Sequence, residues 1–137
     1  MREIKFRGQT CDTPPHWVFG DLYHYTTGEP AINYTHPHKK WLESEPVRPE
    51  TVGQYTGLED SNGKEIYEGD IVEISPQFSA KQGLKREFHL SAVVRWDERL
   101  ARFVVISKEI LDSIPDSEFV SVIGNIHDNP ELLEVEV

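Results

Sequence analysis

At 137 residues the chain has the length of one domain with a single modest core. Fourteen Lys and Arg against 24 Asp and Glu leave a formal charge of −10, which repels phosphate backbones at long range and argues against sequence-independent nucleic-acid binding. One cysteine, Cys11, excludes an intramolecular disulfide and a thiolate zinc cluster, and no segment approaches the roughly 20 apolar residues of a membrane span, so a cytoplasmic chain without membrane contact is expected.

The first residues alternate, with Ile4 and Phe6 set against Glu3, Lys5 and Arg7, the period of a half-buried strand. Over 16–25 the same period places Trp17, Phe19, Tyr23 and Tyr25 on one side, and a turn at 26–29 leads into Ala31, Ile32 and Tyr34, which predicts a hairpin. Three prolines and mixed charge over 36–50 predict irregular connecting structure, with Trp41 pinning it to the body, because proline cannot donate to a strand ladder. Asp60-Ser61-Asn62-Gly63 is a turn signal whose flanks should pair antiparallel, since Asn and Gly tolerate positive φ. Glu68-Gly69-Asp70 marks a second turn, into a strand over 71–74 with Val72 and Ile74 on one face.

Residues 75–91, broken by Pro76 and Gly83 and carrying Lys81, Lys85 and Arg86, are expected to be a flexible loop. It leads into the clearest strand, where Phe88, Leu90, Ala92, Val94 and Trp96 share a face. A turn over 97–102 returns the chain into 103–106, and Ile110, Leu111 and Ile114 suggest a short helical turn ended by Pro115. The β-branched run over 119–126 is interrupted at Gly124-Asn125 as by a bulge. Asn129-Pro130-Glu131 then reads as N-cap, first-turn proline and favourable acid, opening a brief C-terminal helix that plugs one end of the sheet. Roughly seven or eight short strands with few helices predict a mainly β single domain over 1–137, with curled or barrel-like antiparallel sheets of complex topology.

The text QYTGLEDSNGKEIYEGDIV at 54–72 and VIGNIHDNPELL at 122–133 together resemble the YopX family of bacteriophage and prophage proteins. MREIKFRG at the start, WVFGDLYHY at 17–25 and RPETVGQYTG at 48–57 look like that family's text in order, leaving only the loops around 36–47 and 75–91 uncovered. The resemblance implies a mainly β fold of unusual topology and a phage or prophage origin, hence residence in the host cytosol. It implies no catalytic residue, and the family brings no established activity.

Within these signatures Tyr55, Tyr67, Asp70 and Asn125 are the candidate interaction surface, because Tyr joins apolar area to a hydrogen-bonding tip; the Gly, Asn and Asp around them equally fit turn chemistry. His36-Pro37-His38 would project two rings to one side, with His16, His24 and Cys11 as conceivable partners, but no metal-binding spacing supports them, and neither metal nor cofactor is expected. A calcium loop at Asp60 fails because Ile71 stands where the twelfth-position Glu belongs. Glu59, Asp60, Glu65, Glu68 and Asp70 offer carboxylates for acid/base work but sit on solvated turns, so no catalytic residue is assigned. Lys81, Lys85 and Arg86 form a candidate nucleic-acid loop, too small for tight phosphate binding at cell salt. The expected function is a non-enzymatic module that binds a host or phage protein or assembles with itself. A nucleic-acid-binding or DNA-mimic protein is the first alternative, and a hydrolase the second.

Overall fold

The computed structural model describes residues 3–36, 38, 40–81, 89–108 and 110–134. Two compact units make up the chain, Met1–Tyr55 and Thr56–Val137. The fold is mainly β, with antiparallel sheets of six and five strands, neither closed into a barrel, and a short C-terminal helix. Among the described residues no helix is long and apolar enough to cross a membrane.

In the first unit β1 (Phe6–Gln9), β2 (Trp17–His24), β3 (Pro30–Thr35) and β4 (Leu42–Pro46) pair antiparallel in succession, and the start of β5 (Gly53–Glu59) joins the other side of β1. The hairpin predicted from the turn at 26–29 is β2–β3, closed by Tyr25 N donating to Glu29 O at 2.9 Å and Gly28 N to Tyr25 O at 2.8 Å. Val18, Ile32 and Val47 form the buried core, flanked by Phe6, Leu22, Tyr34 and Val52.

Two expectations fail here. The segment over 36–50 contains β4, whose Pro46 is tolerated at the end of a sheet-edge strand, where a missing N–H costs little. Trp41 does not pin it inward: the side chain is 60% exposed and its Nε1 donates to Glu43 Oε1 two residues away.

In the second unit β6 (Glu65–Tyr67) follows the turn at 60–64, and a five-stranded sheet runs in the order β10, β9, β8, β7, β11. These are β7 (Asp70–Ile74), β8 (Leu90–Asp97), β9 (Arg102–Ile106), β10 (Leu111–Ser113) and β11 (Val120–Asn125). Ladder partners share a face, so Val72, Ala92 and Val94 align with Val105, Ile74 and Val120 in one core that Ile66 completes. The face read from Leu90, Ala92, Val94 and Trp96 is this core face, although Trp96 at its end remains part-exposed against Phe103, ring centroids 5.0 Å apart.

The expected flexible loop begins as helix α1 (Pro76–Lys81), because Ser75 Oγ accepts the Gln77 N–H and Pro76 occupies the first helical turn, where it lacks no needed donor. Phe78 then packs on the core and against Phe119, centroids 5.8 Å apart. The helical turn expected at 108–114 is instead β10, paired with β9 through Leu111 and Ile106. A spacing of four suits both one helical turn and two strand repeats, so Ile110 and Ile114 reach the core either way, while Leu111 faces out. The bulge falls between Val122 and Gly124, as the Gly-Asn interruption predicts. Helix α2 (Glu131–Glu134) opens where Asn129-Pro130 places it and lies against β8.

Candidate functional site

The signature over 54–72 centres on Asp60, only 4% exposed. Its Oδ1 accepts the N–H groups of Asn62 at 2.8 Å and Lys64 at 2.9 Å, which shapes the turn, while its Oδ2 accepts the Val122 N–H at 2.9 Å from β11. Ser61 N donates to Val120 O at 2.9 Å, so the turn seals the outer edge of β11 at two positions. Burial opposes ionisation of this carboxyl, but the N–H groups of Val122, Lys64 and Asn62, with the Lys64 charge, prevail and hold it below the ordinary aspartate value. Each of its oxygens is already committed to backbone N–H groups of the turn and β11.

The second half of the signature is organised in the same way. Asp70 is buried, and its Oδ2 accepts the Tyr67 N–H at 2.8 Å across the turn. Gly69, at φ +93°, permits the reversal there; its N–H donates to Val94 O at 2.8 Å and its carbonyl accepts from Ile126 N at 3.0 Å. Tyr67 is buried with its hydroxyl 3.2 Å from Glu65 Oε1. Asn125, the ladder partner of Asp70, accepts the N–H groups of His127 and Asp128 on Oδ1, both at 2.9 Å. A Cβ on Gly124 would lie 2.6 Å from Asn129 Oδ1, the atom facing the Asn125 N–H, so any larger residue there would displace the Asn129 side chain from that bond.

Tyr55, from the first unit, is buried as well, with the Lys5 ammonium 5.2 Å from its ring centroid. Three of the four candidate surface residues are thus buried, and the fourth is bonded into its own loop. Of the candidate nucleic-acid loop, Lys81 ends α1 with its side chain outside the described residues, as are Lys85 and Arg86 entirely.

The exposed character lies elsewhere. In β2 the core takes Val18 and half-buried Leu22, which turns the alternate set Trp17, Phe19, Asp21 and Tyr23 outward. Phe19 is 48% and Tyr23 46% exposed. Ladder register continues this face through Asn33 on β3 to Ser44 and Leu42 on β4, the last 73% exposed. Arg7, opposite Phe19, lays its guanidinium 4.7 Å from the Trp17 ring, and Tyr25 meets Tyr23 edge to face at 5.5 Å. The sequence grouped these aromatics correctly; their outward direction was not legible, because alternation names a side without saying which side is core.

Of the histidines, His38 N donates to His36 Nδ1 at 3.1 Å, with ring centroids 5.9 Å apart. His24 and Glu29 are the ionisable lining of a shallow open depression of about 500 Å³, walled also by Pro30, Pro49 and Val52. Asp12, His16 and Glu45 bring one potential ligand atom each within 4.8 Å of one another, a grouping that sequence spacing did not reveal because Glu45 comes from β4. The family described as YopX protein matches residues 5–134. No curated protein matches the sequence.

Proposed function

Because this chain belongs to the YopX family, we propose that it is a non-enzymatic accessory protein of phage or prophage origin, resident in the bacterial cytoplasm, that works by binding another protein or a second copy of itself. The observation that carries this reading is the outward aromatic face of β2. Phe19 and Tyr23 each leave about half their surface in water. Covering roughly 100 Å² on each ring would contribute about 2 kcal/mol apiece, the scale of an interface hot spot. Asp21, Asn33 and Ser44 between and beside them supply polar groups to orient a partner. The signature residues fit a scaffold role, since their polar atoms are engaged inside the fold.

Light scattering of the purified chain, and capture from host lysate at near-physiological salt, test the reading with the double variant Phe19→Ser/Tyr23→Ser as the comparison. Wild type should self-associate or retain a protein, and the variant, with unchanged circular dichroism, should lose that binding at least about tenfold. A wild type that stays monomeric and retains nothing, or a variant that binds equally, overturns the proposal.

The charge of −10 favours a second reading, mimicry of DNA toward a host DNA-binding protein. Competition with duplex DNA for the captured protein would support it; capture unaffected by excess DNA would dismiss it.

A further inference from the structure

We propose that Asp12, His16 and Glu45 form a binding site for a divalent transition cation of the zinc class. The argument starts from register. Beyond β1 and β4 the chain makes one more antiparallel bridge, Thr10 to Val47, supported by Arg48 N donating to Gln9 O at 2.9 Å. Just beyond that bridge Cys11 Sγ lies 4.0 Å from the Pro46 carbonyl oxygen, and the bend that follows brings the Asp12 carboxylate within 4.8 Å of that of Glu45. Two carboxylates with oxygens this close repel each other when both are ionised, and this pair belongs to a chain already at −10. A cation between them removes that cost.

The third ligand is brought in by the connection from β1 to β2. Thr10, fully buried, donates its N–H to His16 O at 2.8 Å and accepts the His16 N–H on Oγ1 at 3.0 Å. Its hydroxyl also lies 3.2 Å from His16 Nδ1, a further contact between Thr10 and His16. Pro14 and Pro15 stiffen the intervening chain by fixing their φ angles. The loop therefore folds His16 back on Asp12, Nδ1 to Oδ2 3.8 Å, beside Glu45.

One imidazole nitrogen and two carboxylate oxygens suit Zn²⁺ and its neighbours better than Ca²⁺ or Mg²⁺, which prefer oxygen alone. Tetrahedral coordination needs ligand atoms about 3.3 Å apart. From within 4.8 Å, rotation of exposed Asp12 and half-buried Glu45 closes the gap. Three protein ligands leave a position for water or for a donor from a partner.

The test is calorimetric titration of the untagged, full-length chain with Zn²⁺, paired with NMR of the histidine rings. The expected result is one Zn²⁺ per chain, a shift of the His16 ring resonances, and a loss of affinity of at least about tenfold in both Asp12→Asn and Glu45→Gln, since even outer-shell partners act on that scale. His36→Gln/His38→Gln should titrate as wild type. Neither carboxamide variant removes a described core contact, so unchanged amide spectra separate lost ligation from lost folding. Absence of saturable binding, equal binding by the two carboxamide variants, or loss of binding in the His36/His38 variant overturns the proposal.

Discussion

Asp60 is the residue whose removal tests the scaffold most severely. Replacing it by Ala orphans three N–H groups, those of Asn62, Lys64 and Val122, which now lie 2.8–2.9 Å from its carboxylate. Asn62 and Lys64 are exposed, so water replaces the lost acceptor at a cost of about 0.5–1 kcal/mol each, whereas the half-buried Val122 N–H costs about 2 kcal/mol. The sum is a loss of about 3–4 kcal/mol. Asp60→Asn keeps one acceptor and turns an NH2 donor toward another donor, for about 2 kcal/mol. Urea unfolding monitored by Trp96 fluorescence, in a background with Trp17 and Trp41 changed to Phe, reads the second unit alone. The acid response carries its own sign. With its folded pKa held down, the carboxylate contributes stability that is complete above its unfolded value of about 3.9 and disappears as pH falls through the lower folded value. The gap between wild type and Asp60→Asn should therefore be constant from pH 7 to about 5 and shrink below about 4. A loss under 1 kcal/mol for Asp60→Ala, or a gap that widens in acid, would refute the account of this turn.

Ile66→Ala, at the centre of the second core and fully buried, should cost about 2–4 kcal/mol in the same assay. Gly69→Ala forces a Cβ into φ +93° beside two backbone bonds and should cost about 1–2 kcal/mol, measured as a lower urea midpoint at unchanged slope. In the first unit Thr51 Oγ1 accepts the Gln9 N–H at 2.8 Å and donates to Arg48 O at 2.6 Å, so Thr51→Val, of equal shape, should lose about 1–3 kcal/mol, read by thermal circular dichroism.

What could be read beforehand was the local chemistry. Period two located β2, β7 and β8, and Asn-Gly and Gly-Asp placed the turns at 60–64 and 67–70 because the required positive φ is a property of the residue itself. Asn129-Pro130-Glu131 placed α2 because helix-start preferences are likewise local. Features decided by distant partners stayed hidden. The bond from Val122 to Asp60 spans 62 residues, and no local pattern encodes it. The strand character of β10 depends on β9 beside it, since its residues satisfy helical spacing equally well. β4 was obscured by its own Pro46, which an edge position tolerates, and by Pro37 and Pro49 to either side. Among candidate site residues, the signature drew attention through its polar and aromatic letters, yet those letters are used up inside the fold, while the outward set of β2 differs from a core set only in which neighbours happen to cover the other face.

The claim that the signature is a folding device rests most directly on the Val122 amide. It lies on the outer edge of β11, where solvent would reach it without Asp60. Native-state hydrogen exchange of the intact chain should show Val122 and Tyr67 amides slowed by about a thousandfold or more, an opening free energy of about 4 kcal/mol, with the Val122 protection abolished in Asp60→Ala. Exchange of Val122 at the rate of an open strand edge in the wild type would contradict it.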